Sequence, residues 1–204
     1  MNADDFADSV RDAKATELDR LGSQQLLVAL TGADLEPEVV LTAVAGSERT
    51  ASETFSAWAE ETGREAFERL AEQERDHHER VVAELDEFEP SDPDPMHALL
   101  RELDDDASRT GGLVGRSLVA DRTLLQVVNF FVNRGDERRA NLFRNLREDT
   151  RENVSDGVSL LADWCEREED WERAHEAAEE TIQTAYDDYA DTLTGMGLDP
   201  KPIC

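Results

Sequence analysis

The feature that most constrains this chain is a helical stripe that is apolar except for one carboxylate and one imidazole. Phe67, Leu70, Glu74, His77, Val81, Leu85 and Phe88 recur at the helical period and share one face. A charge taken out of water is costly unless something pairs with it, so a buried Glu one turn from a buried His calls for a partner, and a metal ion is the obvious one. The segment before it repeats the pattern. Leu41, Val44, Glu48, Ala51, Phe55 and Trp58 form a second stripe, again interrupted by one carboxylate.

Glu48, Glu74 and His77 are what one half of a carboxylate-bridged di-metal site needs, because residues three apart project side by side into a bundle interior. The wider sequence carries the same signal: Ala45-Gly46-Ser47-Glu48-Arg49-Thr50-Ala51, then Phe55, Trp58-Ala59 and Ala71-Glu72-Gln73-Glu74-Arg75-Asp76-His77. Over about residues 40 to 88 this resembles the first helix pair of the rubrerythrin family, with a shorter connection between the helices. The resemblance implies a ferritin-like fold, metal-ligand roles for Glu48, Glu74 and His77, and bound iron, with manganese or zinc as alternatives. It further implies iron or oxidative-stress handling, which as an enzyme would be a metal-dependent peroxidase with a redox partner still to be identified.

The second half of the chain does not repeat the ligands. Laying Phe143 on Phe67 and Leu146 on Leu70 puts Thr150 opposite Glu74 and Asn153 opposite His77, and Thr123 falls opposite Glu48. Asp149, Glu152 and Asp121 lie nearby as substitutes on the flanks. Two readings stay open: a single ion held by Glu48, Glu74 and His77 with help from Asp121 or Asp149, or a metal-free bundle used as an interaction or regulatory scaffold. His78 is read as a flanking residue, and neither His97 nor His175 as a ligand.

Charge narrows the setting. Forty-nine acidic residues against 21 basic ones give a net charge of -28, the balance of a halophilic, salt-adapted cytoplasmic protein with an acidic surface. Nucleic acid is an unfavourable partner for such a surface. The row Arg134, Arg138, Arg139, Arg144, Arg147 and Arg151 lies among acids and is expected to pair internally. No apolar run approaches a membrane span, so no membrane partner is expected. Cys165 and Cys204 form no Cys-x-x-Cys motif, which excludes a rubredoxin-type centre needing four thiolates.

The expected architecture is all-α: a ferritin-like, rubrerythrin-type four-helix bundle with additional N- and C-terminal helices, assembling as a homo-oligomer. Residues 1–33 are read as an N-terminal helical arm with an exposed amphipathic helix over 3–21, 34–168 as the bundle, and 169–204 as a C-terminal helix and extended tail. Bundle helices are expected over 36–62, 64–88, 113–134 and 136–168, with Asp34 capping the first. A Pro-rich linker around Pro90 to Pro95 and a short helix over 96–109, ended by Gly111-Gly112, would form the crossover between the second and third.

Overall fold

The computed structural model describes residues 3–90 and 93–201. Ser91 and Asp92 of the expected linker, and Pro202, Ile203 and Cys204 of the expected tail, lie outside the described residues. The described residues form helices and connecting turns with no strand among them. In order these are α1 (Ala3–Ala13), α2 (Ala15–Leu21), α3 (Gln25–Leu30), α4 (Pro37–Thr62), α5 (Glu65–Val82), α6 (Pro95–Glu102), α7 (Asp106–Asn133), α8 (Glu137–Trp164) and α9 (Glu168–Gly195). None of them is long and apolar enough to cross a membrane.

The helix ends follow local chemistry. Pro37 opens α4 where its missing N–H costs nothing, and Glu36 rather than Asp34 occupies the N-cap position. Gly63, at φ 67°, and Gly135, at φ 73°, take the left-handed turns that a side chain would resist, and they fold α4 back on α5 and α7 back on α8. Aspartates cap the starts of α6, α7 and α8: Asp94 accepts from the His97 N–H at 2.9 Å, Asp105 from Ala107 at 3.0 Å, and Asp136 from Arg139 at 3.0 Å.

Several expected boundaries move: the short helix expected over 96–109 ends at Glu102, and the one expected over 136–168 ends at Trp164. The second bundle helix stops at Val82 instead of reaching Phe88. The acidic run that follows opposes the negative end of the helix dipole, and the Glu84 carboxylate is drawn out to Arg138 and Arg139. Gly111-Gly112 is not a break at all, because α7 starts at Asp105–Asp106 and runs straight through both glycines.

Those glycines serve a helix crossing. A β-carbon on Gly111 would lie 1.9 Å from the carbonyl oxygen of Ala174, and one on Gly115 2.6 Å from that of Ala178, so α9 can lie along α7 only where side chains are absent. We expect Gly111→Ala to lower the unfolding free energy by about 1–3 kcal/mol or more, the usual cost of overpacking. Gly195→Ala, with nothing within 4 Å of the new methyl, should change it little. Urea midpoints of the two variants make the comparison.

The N-terminal segment is helical as expected but not exposed. Phe6 and Val10 are fully buried, with Phe6 packed on Trp171 and edge-on to His175, so the apolar stripe of α1 is spent against α8 and α9. The apolar interior falls into three clusters: one joins the N-terminal helices and α9 to α7 and α8, and the other two lie along α4 and α5. Of the latter two zones, one gathers Val40, Val44, Leu124, Phe131 and Phe143; the other gathers Phe55, Trp58, Phe67, Leu70 and Leu113. Along α4 the zones are separated at Glu48, along α5 at Glu74 and His77, and along α7 at Arg116.

Candidate functional site

The three residues singled out by the interrupted stripes meet in the layer between the two apolar zones. Glu48 is 2 % exposed, and Glu74 and His77 are fully buried. One ligand-type atom from each lies within 4.8 Å of the others. The helical period that brought Glu74 and His77 to one face, and Glu48 to the facing side of α4, is enough to explain the convergence.

A fourth residue occupies the same layer. Arg116 of α7 is fully buried, and its guanidinium lies between the two glutamates. Nη1 donates to Glu74 Oε1 at 2.6 Å, and Nη2 donates to Glu48 Oε2 at 2.7 Å and to Glu74 Oε2 at 3.3 Å. The Phe55 ring lies beneath it, 6.0 Å from the guanidinium carbon. Charge-assisted bonds of this length are the strong kind, and planar guanidinium geometry suits two carboxylates better than an ammonium would.

Residues of α8 close the network. His77 Nε2 bonds to Asp149 Oδ2 at 3.1 Å, while Nδ1 faces Glu74 Oε2 at 3.5 Å, an ionic contact without hydrogen-bond alignment. Asn153 Nδ2 reaches Glu74 Oε1 at 3.5 Å. Thr150 is buried but returns its hydroxyl to Leu146, and Thr123 bonds Val119 of its own helix. Asp121 lies elsewhere, held by Arg147 and Arg151. Four helices, α4, α5, α7 and α8, therefore contribute to one polar layer.

Burial and neighbouring charge pull these groups in different directions. Burial pushes the Glu48 carboxyl up, and the adjacent Glu74 adds to this, carrying it to about 7 despite Arg116. Burial acts on Glu74 too, but Arg116 and His77 outweigh it and hold this carboxyl well below its usual range. Burial opposes a charged His77, yet Glu74, Glu48 and Asp149 overcome it and raise the ring to about 9. Arg116, stripped of water but faced by two carboxylates, is held more firmly protonated than a free arginine. Near neutrality the layer thus holds two cations, Arg116 and imidazolium 77, against its carboxylates.

The remaining histidines have structural partners. His78 Nδ1 bonds the Ala45 carbonyl at 2.8 Å, His97 Nδ1 the Asp94 carboxylate at 2.8 Å, and His175 lies between Ser9 and Glu179. The arginine row pairs internally: Arg138 and Arg139 with Glu84, Arg144 with Glu137, and Arg147 and Arg151 with Asp121, while Arg134 bonds the Leu35 carbonyl. Cys165 is half-buried, and burial pushes its thiol up to about 11, so it is a neutral thiol at neutral pH.

Arg116 carries its own signal in the sequence. It stands within Leu113-Val114-Gly115-Arg116-Ser117-Leu118-Val119, the same signature of a charge inside an apolar run that marked Glu48 and Glu74. It is not a ligand-type residue, so a pattern of metal-binding side chains does not include it. Compared with protein-family models, curated proteins and solved structures, the chain gives no match.

Proposed function

We propose that this chain is a ferritin-like, rubrerythrin-type bundle in which a buried arginine stands where the family holds a metal ion, and that it acts as a binding or regulatory scaffold rather than as a metal-dependent peroxidase. The observation that carries this reading is the guanidinium of Arg116 between Glu48 and Glu74. Arg116 and imidazolium 77 together bring two positive charges into the layer, the same charge a divalent ion would bring.

A metal ion suits this donor set poorly. Both glutamates already spend oxygens on Arg116, and the His77 ring, raised to about 9, must give up a proton before a nitrogen lone pair can bind. An incoming dication would also meet a fixed guanidinium charge. A second reading is favoured by one observation, the 4.8 Å convergence of Glu48, Glu74 and His77, which an ion could exploit if Arg116 swung out of the layer.

Metal analysis of protein purified in high salt separates the two. The scaffold reading expects iron, manganese and zinc well below one ion per chain, and no peroxide consumption after supply of metal and reductant. One ion per chain that is lost in Glu74→Ala, together with peroxide turnover, would overturn it.

A further inference from the structure

A cavity of about 240 Å³ opens beside the ion network, between α4, α7 and α9 and under α3. Close-packed interiors leave few voids larger than a water molecule, so a space of this size is outside ordinary packing. Its lining is rich in hydrocarbon: Leu21, Leu26, Val44, Met96, Val119 and Leu124, with alanines of α3, α4, α7 and α9 between them. Leu30, 39 % exposed, and the exposed Asp188 also belong to the lining, so the cavity meets solvent between α3 and α9.

The charged groups of the wall, Glu48, Asp94, Arg116 and Asp188, are already provided for. Glu48 accepts from Arg116 at 2.7 Å, and both terminal nitrogens of Arg116 are taken by Glu48 and Glu74. Asp94 accepts the His97 backbone N–H on one oxygen at 2.9 Å and pairs with the ring Nδ1 on the other at 2.8 Å. Asp188 is exposed and keeps its hydration. The hydroxyls of Thr50 and Thr123 return to carbonyls of their own helices, and that of Tyr189 faces Ser23, Gln25 and Pro200. A charged guest would give up its hydration and find no free counter-charge inside the cavity, whereas a neutral apolar one has no such loss on entering.

We propose that the cavity binds one small neutral hydrocarbon, of about the bulk of an alkylbenzene. Volume sets the size: a cavity of about 150 Å³ lined by leucine, isoleucine and phenylalanine takes up benzene, and this one is larger. The gain comes from apolar surface leaving water and from contacts that the unfilled space forgoes. A hydrocarbon guest names what the scaffold holds and rests on that reading of the layer, because a metal ion would draw Glu48 from Arg116 and leave an uncompensated guanidinium in the wall.

The test is calorimetric titration of wild type in concentrated KCl with benzene, toluene, ethylbenzene and propylbenzene, and with benzylammonium and benzoate as charged counterparts. Toluene should bind one per chain, and affinity should rise about fourfold with each added methylene, the worth of one buried CH₂. Both charged compounds should bind about tenfold or more weakly than toluene, because their hydration is lost without a partner. Ala120→Phe and Ala185→Phe, which fill the cavity from α7 and from α9, should each abolish toluene binding while keeping the wild-type helicity. No toluene uptake by wild type, equal affinity for toluene and benzylammonium, or uptake that survives both fillings would overturn the proposal. If the variants do not fold, the methylene series decides, and a flat series overturns it as well. Metal content of the same sample separates the failures: metal-free protein that takes up no toluene refutes this inference alone, and one ion per chain refutes the reading beneath it and this inference with it.

Discussion

Replacing Arg116 with methionine should cost about 3–5 kcal/mol of unfolding free energy, the range measured when one partner of a buried ion pair is removed. That is a large share of the roughly 5–15 kcal/mol that holds an ordinary domain together. The loss comes from Glu48 and Glu74, which keep their burial but lose the charge that compensated it. A divalent ion should then become useful. Cobalt or zinc at 100 times its dissociation constant would return about 2.7 kcal/mol to Arg116→Met, while wild type should gain nothing from the same addition. A variant that carries Glu48→Leu and Glu74→Leu beside Arg116→Met should recover most of the loss without metal, because apolar residues of similar volume need no partner.

Acid and base should probe the same layer from opposite sides. His77, raised to about 9, adds stability that is complete below its unfolded value of 6.5 and disappears as pH climbs through 9. Glu74, whose carboxyl is lowered, adds stability that is complete above 4.5 and disappears on acidification. Glu48, raised to about 7, favours the folded state less and less as pH rises from 4.5 to 7. The layer should therefore contribute most near pH 4.5 and weaken on both sides, below it as Glu74 is protonated and above it first through Glu48 and then, beyond 6.5, through His77. Thermal midpoints against pH should show this maximum in wild type and a flattened profile in Arg116→Met. An unchanged profile in the variant would mean that the layer does not set the pH response.

The second large effect is expected from salt. Forty-nine acidic residues face 21 basic ones, and many of the basic groups are already engaged locally, as at Glu84 and Asp121. The excess acids repel one another across the surface at low ionic strength, where the Debye length is ~30 Å at 0.01 M, and far less at 1 M, where it is ~3 Å. Helicity and the thermal midpoint should rise steeply with KCl into the molar range, with partial unfolding in dilute buffer. A midpoint that does not move between 0.05 and about 2 M, a range that brackets that screening, would remove the halophilic reading of the composition. The buried layer should feel little of this, because its charges are paired within a few ångströms and shielded from the solution.

The outline of the bundle was legible because apolar spacing and stop signals agreed. Pro37 and Gly63 bracket α4, Gly135 divides α7 from α8, and the polar layer was traceable through Glu48, Glu74 and His77. Gly111-Gly112 misled for a physical reason. Glycine marks both a chain break and a close helix crossing, and only the small residues of α9, Ala174, Ala177 and Ala178, distinguish the second case. The arm over α1 and α2 was read as exposed because its amphipathic pattern is the same whether the apolar side meets solvent partners or the chain's own α8 and α9. Asp149 could be named but not placed, since it flanks its stripe and reaches the layer only through His77.

A metal ion in such a layer exchanges with solution, so a bundle that depends on it folds at the mercy of supply, dilution and chelators. Arg116 cannot leave. It is fastened to α7, and its effective concentration at Glu48 and Glu74 is set by the geometry of one helix against two others, not by what the surroundings hold. The bundle carries its counter-ion in its own covalent structure, and the pairing at its centre is inherited with the gene product at one-to-one stoichiometry each time the chain is made.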